Sequence, residues 1–339
     1  MADTLLEVRD LSVHFKAKAG ARGGRGVVKA VDGLDFTIGY GETLGVVGES
    51  GCGKSTTGLA IQGLVKATSG SIMLEGQDLT TLKANQVRAA RRRTQMVFQD
   101  PTSSLNMRMT VGQIVAEPLL VHDTVPRSEH RARAAELLGL VGMPESALDR
   151  YPHEFSGGQR QRVGIARALA VEPDLIICDE PTAALDVSIR AQVLNLFREL
   201  QRARDLSYLF ISHDLSAVHH ISDRILVMYL GRPMELASRD TVYNDPQHPY
   251  TVALMSAVPV PDPDIERNRE HILLQGDVPS PLNPPSGCVF RTRCPLAQDV
   301  CAAEVPAWRD IGTDGEEHMV ACHFAQPGMA ELVAGQAAR

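Results

Sequence analysis

The junction at residues 44–56 restricts this 339-residue chain more than any other stretch. "LGVV" (44–47) is a short apolar run, as expected of a strand buried on both faces of a parallel sheet. "GESGCGKST" (48–56) follows at once, and a helical pattern then runs to Leu64. Strand, G-x-x-x-x-G-K-[ST] and helix, in that order, cradle nucleotide phosphates. Gly48, Gly51 and Gly53 let the backbone curl with its N–H groups inward, and Ser50 and Thr56 lie in the same segment. The helix starting near Lys54 adds the positive end of its dipole. Lys54 places an ammonium on the β and γ phosphates. At ~4 Å and an effective dielectric of about 20, each unit charge it meets contributes ~4 kcal/mol before desolvation. Ser55 offers a hydroxyl to Mg2+.

A cradle specifies nucleoside-triphosphate binding, whereas hydrolysis needs a second metal ligand and a group that activates water. "LIICDE" (175–180) is four apolar residues followed by two carboxylates. At the C-terminal edge of a buried strand, Asp179 is placed to hold Mg2+ directly or through water. Glu180 projects differently and can take a proton from the attacking water. "SYLFI" (207–211) reads as a strand ending in Ser212-His213-Asp214, which puts His213 within reach of the γ-phosphate. His219-His220 read as ordinary helix residues. "RTQMVFQD" (93–100) predicts a strand ending at Gln99, whose amide is available to Mg2+ or the water, although a solvated loop glutamine looks the same. The preceding "RAARRR" (88–93) reads as a solvated helix face.

"FSGGQRQRVGIARALA" (155–170) predicts a helix capped by Ser156, with Gln159 completing a capping box. Val163, Ala166, Leu169 and Ala170 supply an apolar stripe. A cap alone does not explain Gly157 and Gly158 in the first turn, where each costs about 1 kcal/mol relative to Ala. Bare N–H groups at a helix start suit an anion, so this end reads as a second phosphate site.

The net charge of −7 excludes a general pull toward nucleic acid or anionic lipid. Aromatic residues make up 4%, so the core is mostly aliphatic. No apolar run approaches the ~18–20 residues of a membrane span. The N-terminus carries acids where a secretory signal has a basic patch. These features predict a soluble, cytoplasmic chain that reaches a membrane only through other chains.

Beyond residue 240 the character changes. "PVPDP" (259–263) and "GDVPSPLNPPSG" (276–287) predict an irregular extension with little core. Cys288, Cys294, Cys301 and Cys322 follow as C-x5-C-x6-C-x20-C. This spacing admits a metal or cluster site, a disulfide framework or structural thiols. A cytosolic setting argues against disulfides, and a core-poor segment gains stability from a bound metal. Cys294-Pro295 echoes the Cys-Pro of some iron–sulfur runs. Cys52 and Cys178 read as packing residues, with Cys52 open to oxidation.

The ordered set "GESGCGKST", Gln99, "FSGGQ", "LIICDEPTAALD" and His213 resembles the nucleotide-binding subunits of ABC transporters over residues 1–240. The resemblance implies a RecA-like P-loop α/β core with an N-terminal antiparallel β part and a helical subdomain at about 100–165. It implies head-to-tail dimers with two ATP molecules at the interface, each touching Lys54-type residues of one subunit and Ser156–Gln159-type residues of the other. It also implies adenine stacking on Phe15, before an Arg/Gly-rich loop (17–26), and coupling between sites by Asp186. Gln99 and the loop to Pro118 become the lever that meets the membrane subunits. Phe155 stands where the family more often has Leu.

"NDPQHPYTVALMSAVPVPDPD" and "PSPLNPPSGCVFRTRCP" resemble the C-terminal region of dipeptide/oligopeptide importer ATPases, over 241–325. That resemblance implies a [4Fe–4S] cluster on Cys288, Cys294, Cys301 and Cys322. Zn2+ is the rival, with His318 and His323 as substitute ligands. The whole reading is an ATPase subunit of a peptide importer, with domains 1–240 and 241–339, at the cytoplasmic face of the membrane. Its implied partners are a related, non-identical ATPase, two permeases and, indirectly, an extracytoplasmic peptide-binding protein, with no nucleic acid. A soluble ABC ATPase acting on nucleic acid or ribosomes, and the ATPase of a nickel or other solute importer, are the alternatives.

Overall fold

The structure, a computed structural model, describes residues 4–19, 24–258, 267, 272, 274–313 and 315–337; "PVPDP" lies outside them. The chain opens with a long antiparallel hairpin, β1 (Thr4–Ala19) and β2 (Gly24–Gly39). Its register runs from Thr4↔Gly39 to Ala19↔Gly24, so strands take up most of the expected 17–26 loop. Further on, β4 (Ser69–Leu74) and β5 (Gln77–Asp78) complete a four-stranded sheet in the order β2-β1-β4-β5.

The second sheet has eight strands. Its centre is β3 (Thr43–Val47), β8 (Ser207–Ile211), β7 (Leu175–Asp179) and β6 (Thr94–Val97), neighbours in that order and all parallel. Every residue of β3, β7 and β8 is buried, which explains why these runs are apolar apart from Thr43, Asp179 and Ser207 at their ends, rather than alternating. On the other side β9 (Arg224–Tyr229) pairs parallel with β3, and β10 (Arg232–Ser238) pairs antiparallel with β9. The faces are covered by helices that include α1 (Lys54–Ile61), α7 (Val187–Arg204) and α8 (Leu215–Ile221).

Between β6 and β7 the chain is helical: α3 (Pro101–Ser104), α4 (Val111–His122), α5 (His130–Leu140) and α6 (Gly157–Leu169). Val111, Ile114, Val115, Leu119, Leu137, Leu138 and Val163 bury this insert's own apolar face. The basic run forms the end of α2 (Ala84–Arg93). It is less solvated than expected: Arg91 donates to the Gln62 and Gly63 carbonyls, and Arg93 pairs with Asp174 and Glu75. These arginines tie the helix to the loop after α1 and to the sheet edges.

The C-terminal part is not the core-poor appendage expected. After α9 (Arg239–Asn244) and α10 (Pro249–Ser256), β12 (Met319–Val320) pairs with β10 and β11 (Arg309–Asp310) extends that edge. Tyr229, Tyr250 and Phe290 pack in tilted and edge-on contacts with centroids 4.8–5.3 Å apart, joining β9, α10 and the cysteine segment. Fully buried Glu235 accepts from Gln247 N at 2.7 Å, His248 N at 3.1 Å and His318 Nε2 at 2.7 Å. That satisfies a carboxylate that would be costly to bury unpaired. Among the described residues no helix is long and apolar enough to cross a membrane.

Candidate functional site

Because β3, β8, β7 and β6 are parallel neighbours, their C-terminal ends open on one edge of the sheet. That edge receives Gly48, Ser212-His213, Asp179-Glu180 and, two residues beyond β6, Gln99. Residues far apart in sequence thereby converge.

The cradle has the backbone its glycines foretell. Gly48, Gly51 and Gly53 have φ of 148°, 80° and 106°. A Cβ at Gly48 would lie 2.1 Å from the Met228 carbonyl oxygen, and one at Gly53 2.1 Å from that of Ala30. A Cβ at Gly51 would meet nothing within 4 Å, so φ alone demands glycine there. Lys54, 5% exposed, donates to the Gly48 and Glu49 carbonyls at 2.7 and 3.1 Å. Ser50 and Thr56 flank the glycine turn and the start of α1. Cys52 is 3% exposed and burial pushes its thiol pKa up, so it is not open to oxidation as expected.

Ser55 Oγ donates to Asp179 Oδ1 at 2.7 Å, joining the two motifs expected to share Mg2+. Burial pushes the Asp179 carboxyl above its ordinary range and the neighbouring Glu180 adds to this, while Ser55 and Lys54 pull it back. A buried carboxylate beside a hydroxyl fits Mg2+, which needs one or two protein oxygens plus substrate phosphates. Glu180 holds a left-handed backbone (φ 47°), its N–H donating to the Ile211 carbonyl at 2.9 Å. Its Oε1 lies 3.1 Å from His213 Nδ1. Gln99 is exposed and near this group only through its strand.

Ser156 caps α6 as expected: its Oγ accepts from Gln159 N at 3.3 Å, and its own N–H donates to Gln159 Oε1 at 3.0 Å. Ser156, Gly157 and Gln159 are exposed, while Gly158 is buried against α7. A Cβ on Gly158 would lie 2.4 Å from Ile189 Cγ2, so packing demands that glycine; one on Gly157 would meet Leu185 at an ordinary 3.6 Å. Phe155 is buried below this tip, with the Arg150 guanidinium 4.4 Å over its ring. Asp186 starts α7 without a side-chain cap, and Phe15 is 41% exposed on β1. None of Phe15, Ser156 or Asp186 shares a hydrogen bond or ion pair with the cradle among the described residues.

Sequence patterns did not single out Glu49. Its carboxylate accepts Arg293 Nη1 at 2.8 and 2.9 Å, and its N–H donates to Tyr250 Oη at 2.9 Å. Both partners are more than 200 residues away. The one local hint was an unpaired-looking acid inside an anion cradle.

All six cysteines are free thiols. The expected cluster residues share one neighbourhood: Cys288 N donates to the Cys301 carbonyl at 2.8 Å. Burial pushes Cys294 up to about 12, with Cys322, Cys288 and Cys301 adding to the rise, and burial likewise takes Cys322 to about 11. The [4Fe–4S] or zinc expectation is nevertheless not met by a preformed site. Among the described residues no group of three or more His, Cys, Asp or Glu side chains is disposed to hold a metal ion. The substitute ligands are engaged elsewhere, His318 with Glu235 and His323 Nε2 3.2 Å from the Glu304 carbonyl.

Residues 31–183 match the ABC transporter family, and residues 234–301 match the oligopeptide/dipeptide transporter C-terminal region. The oligopeptide transport ATP-binding protein OppF of Salmonella typhimurium is 56% identical over 327 residues, covering 95% of this chain and 97% of that one. AppF of Bacillus subtilis, also an oligopeptide transport ATP-binding protein, is 52% identical over 324 residues, covering 95% and 98%. Among solved structures, cbiO1 of Clostridium perfringens, part of the ABC transporter complex cbiONQ, superposes with a TM-score of 0.61 at 29% identity over 71% of this chain and 91% of that one. The dimeric post-hydrolysis ATP-binding cassette MJ0796, bound to ADP and Pi, gives 0.61 at 26% identity over 69% and 98%.

Proposed function

This chain belongs to the ABC transporter family of ATPases, and we propose that it is the subunit whose ATP hydrolysis powers import of dipeptides or oligopeptides. The observation that carries the reading is the 2.7 Å contact of Ser55 with Asp179, which joins cradle and acid pair at one strand edge. The match at 234–301 and the two oligopeptide transport relatives support the peptide substrate.

In this reading the N–H groups of residues 48–56 and the Lys54 ammonium hold the triphosphate, and Ser50 and Thr56 hydroxyls add donors. Ser55, Asp179 and Gln99 hold Mg2+, which when bound neutralises charge on the phosphate oxygens. Glu180 takes the proton of the attacking water, and His213 orients that carboxylate and meets the γ-phosphate. Phe15 stacks on adenine, a contact of ~1–3 kcal/mol. The tip Ser156, Gly157, Gly158 and Gln159, exposed at every position but Gly158, serves the partner subunit's ATP, with Asp186 linking the two sites. Support comes from the exposure of Ser156, Gly157 and Gln159, and from a capping box that engages the Ser156 and Gln159 N–H groups but not those of Gly157 and Gly158 between them.

The wider assembly is a second, related ATPase and two permeases, with an extracytoplasmic peptide-binding protein acting indirectly. The Gln99–Pro118 segment forms the contact with the permeases at the cytoplasmic face. Residues 1–240, with a helical subdomain at about 100–165, and residues 241–339 are its functional units. The four-cysteine neighbourhood is carried as a candidate [4Fe–4S] or Zn2+ site, supported by the backbone contact of Cys288 with Cys301 at 2.8 Å and by the thiol chemistry of the four residues. Anaerobic purification with metal analysis, repeated on Cys294→Ser, separates iron from zinc; equal metal content in both proteins removes the ligand set. Reconstituted complex in vesicles tests the function: peptide-loaded binding protein should stimulate ATP hydrolysis, and indifference to peptide refutes the substrate.

A further inference from the structure

All three polar groups of residue 49, the second position of the cradle, are engaged. Its carbonyl accepts from Lys54 Nζ at 3.1 Å, its N–H donates to Tyr250 Oη at 2.9 Å, and its carboxylate takes Arg293 Nη1 at 2.8 and 2.9 Å. Lys54 belongs to the cradle, but Tyr250 and Arg293 come from the C-terminal part. The Arg293 side chain is 8% exposed and that of Glu49 25%, so the pair is shielded from solvent. Both anchors rest on one aromatic group. Arg293 Nη1 donates to Tyr229 Oη at 3.4 Å, and Tyr250 packs against Tyr229 and Phe290 at 4.8 and 5.3 Å. Nε of Arg293 is buried with no hydrogen-bond partner among the described residues, so the guanidinium is held through Nη1.

A carboxylate inside a triphosphate cradle is an electrostatic liability. Unneutralised, Glu49 repels the phosphates, and unanchored, the first turn of the loop can swing its N–H groups off target. We propose that Arg293, assisted by Tyr250, is a positioning residue for ATP binding that neutralises Glu49 and fixes the start of the cradle. The C-terminal part thereby helps set the nucleotide affinity of the ATPase core. This rests on the reading that residues 48–56 bind the triphosphate.

The test is titration of MgATP into the intact chain, with hydrolysis measured in the assembled complex. Arg293→Met should weaken ATP about tenfold while kcat at saturating ATP stays within about twofold, because one nearby unit charge is left unopposed. Glu49→Gln added to Arg293→Met removes that charge and should restore affinity to within about threefold of the parent. A residue that merely docks the C-terminal part would show no such rescue. Wild-type affinity in Arg293→Met, or additive losses in the double variant, overturns the proposal. If Arg293→Met does not fold, Arg293→Lys and Tyr250→Phe carry the test: each should weaken ATP about threefold, and wild-type affinity in both is equally fatal. Failure of the unaltered chain to bind MgATP would instead overturn the cradle reading itself.

Discussion

The Glu180 carboxylate lies 3.1 Å from Nδ1 of His213, at the ends of two adjacent parallel strands. Under the proposed assignment of Glu180 as the base, this contact orients its carboxylate at the strand edge that carries Lys54 and Ser55. Glu180→Gln should lower kcat by about 10²–10⁴ and leave ATP bound, since the amide keeps the shape and loses the basicity. His213→Ala should lower kcat less, because the base survives without its orienting partner. Stopped-time hydrolysis with trapped nucleotide counted on the protein checks both; turnover within tenfold of the parent in Glu180→Gln would dismiss it as the base.

Lys54 is buried against the carbonyls of Gly48 and Glu49, poised where phosphate oxygens would replace them. Lys54→Ala should weaken MgATP by about 2–4 kcal/mol, a loss of roughly 30- to 1,000-fold. Calorimetric titration decides it, and unchanged affinity would mean that the loop does not bind triphosphate.

Gly158 and Gly157 should separate by substitution. Gly158→Ala drives a Cβ to 2.4 Å from Ile189 Cγ2 and should destabilise the fold by about 1–3 kcal/mol, an effect relieved by adding Ile189→Ala. Gly157→Ala meets Leu185 at 3.6 Å and should leave thermal unfolding nearly unchanged while impairing ATP-driven dimer closure. Equal melting temperatures for the two single variants would contradict the packing account.

His248 is fully buried, and burial holds its pKa down to about 3. Its Nδ1 accepts from Tyr250 N at 3.0 Å. The unfolded chain binds a proton below about pH 6.5 that the folded chain refuses until about pH 3, so the contribution of this group to stability is complete above 6.5 and is lost as pH falls. By pH 5 the loss is about 2 kcal/mol. Denaturant unfolding at pH 7 and 5 should show that drop, and His248→Gln should flatten it; a parent protein equally stable at both values counts against the assignment.

Much of the site was readable because its signals are local. The glycines at 48, 51 and 53 report positive φ within a few residues, and the mostly apolar runs of β3, β7 and β8 report burial on both faces. Ser156 and Gln159 describe their own capping box. Local composition misled where proline and glycine stood in for irregularity. The C-terminal part looked core-poor because Tyr250, Phe290 and Val320 are scattered among turn residues, yet each packs against the strands β9 and β10. The arginines of α2 looked solvated because their acceptors, Gln62, Gly63, Asp174 and Glu75, come from elsewhere.

The order of residues along the chain was enough to locate the glycine turn and the acid pair from which the cradle, metal ligand and base are proposed, since each is written in a few consecutive positions whose backbone torsions are set locally. Folding alone could decide that Glu49 meets Arg293 and Tyr250, that Gly158 answers to Ile189, and that Cys52 is sealed from solvent. Those contacts join segments up to 244 positions apart. They exist only once sheet order and helix packing have brought the segments together, and no short-range pattern encodes a distance closed by the whole chain.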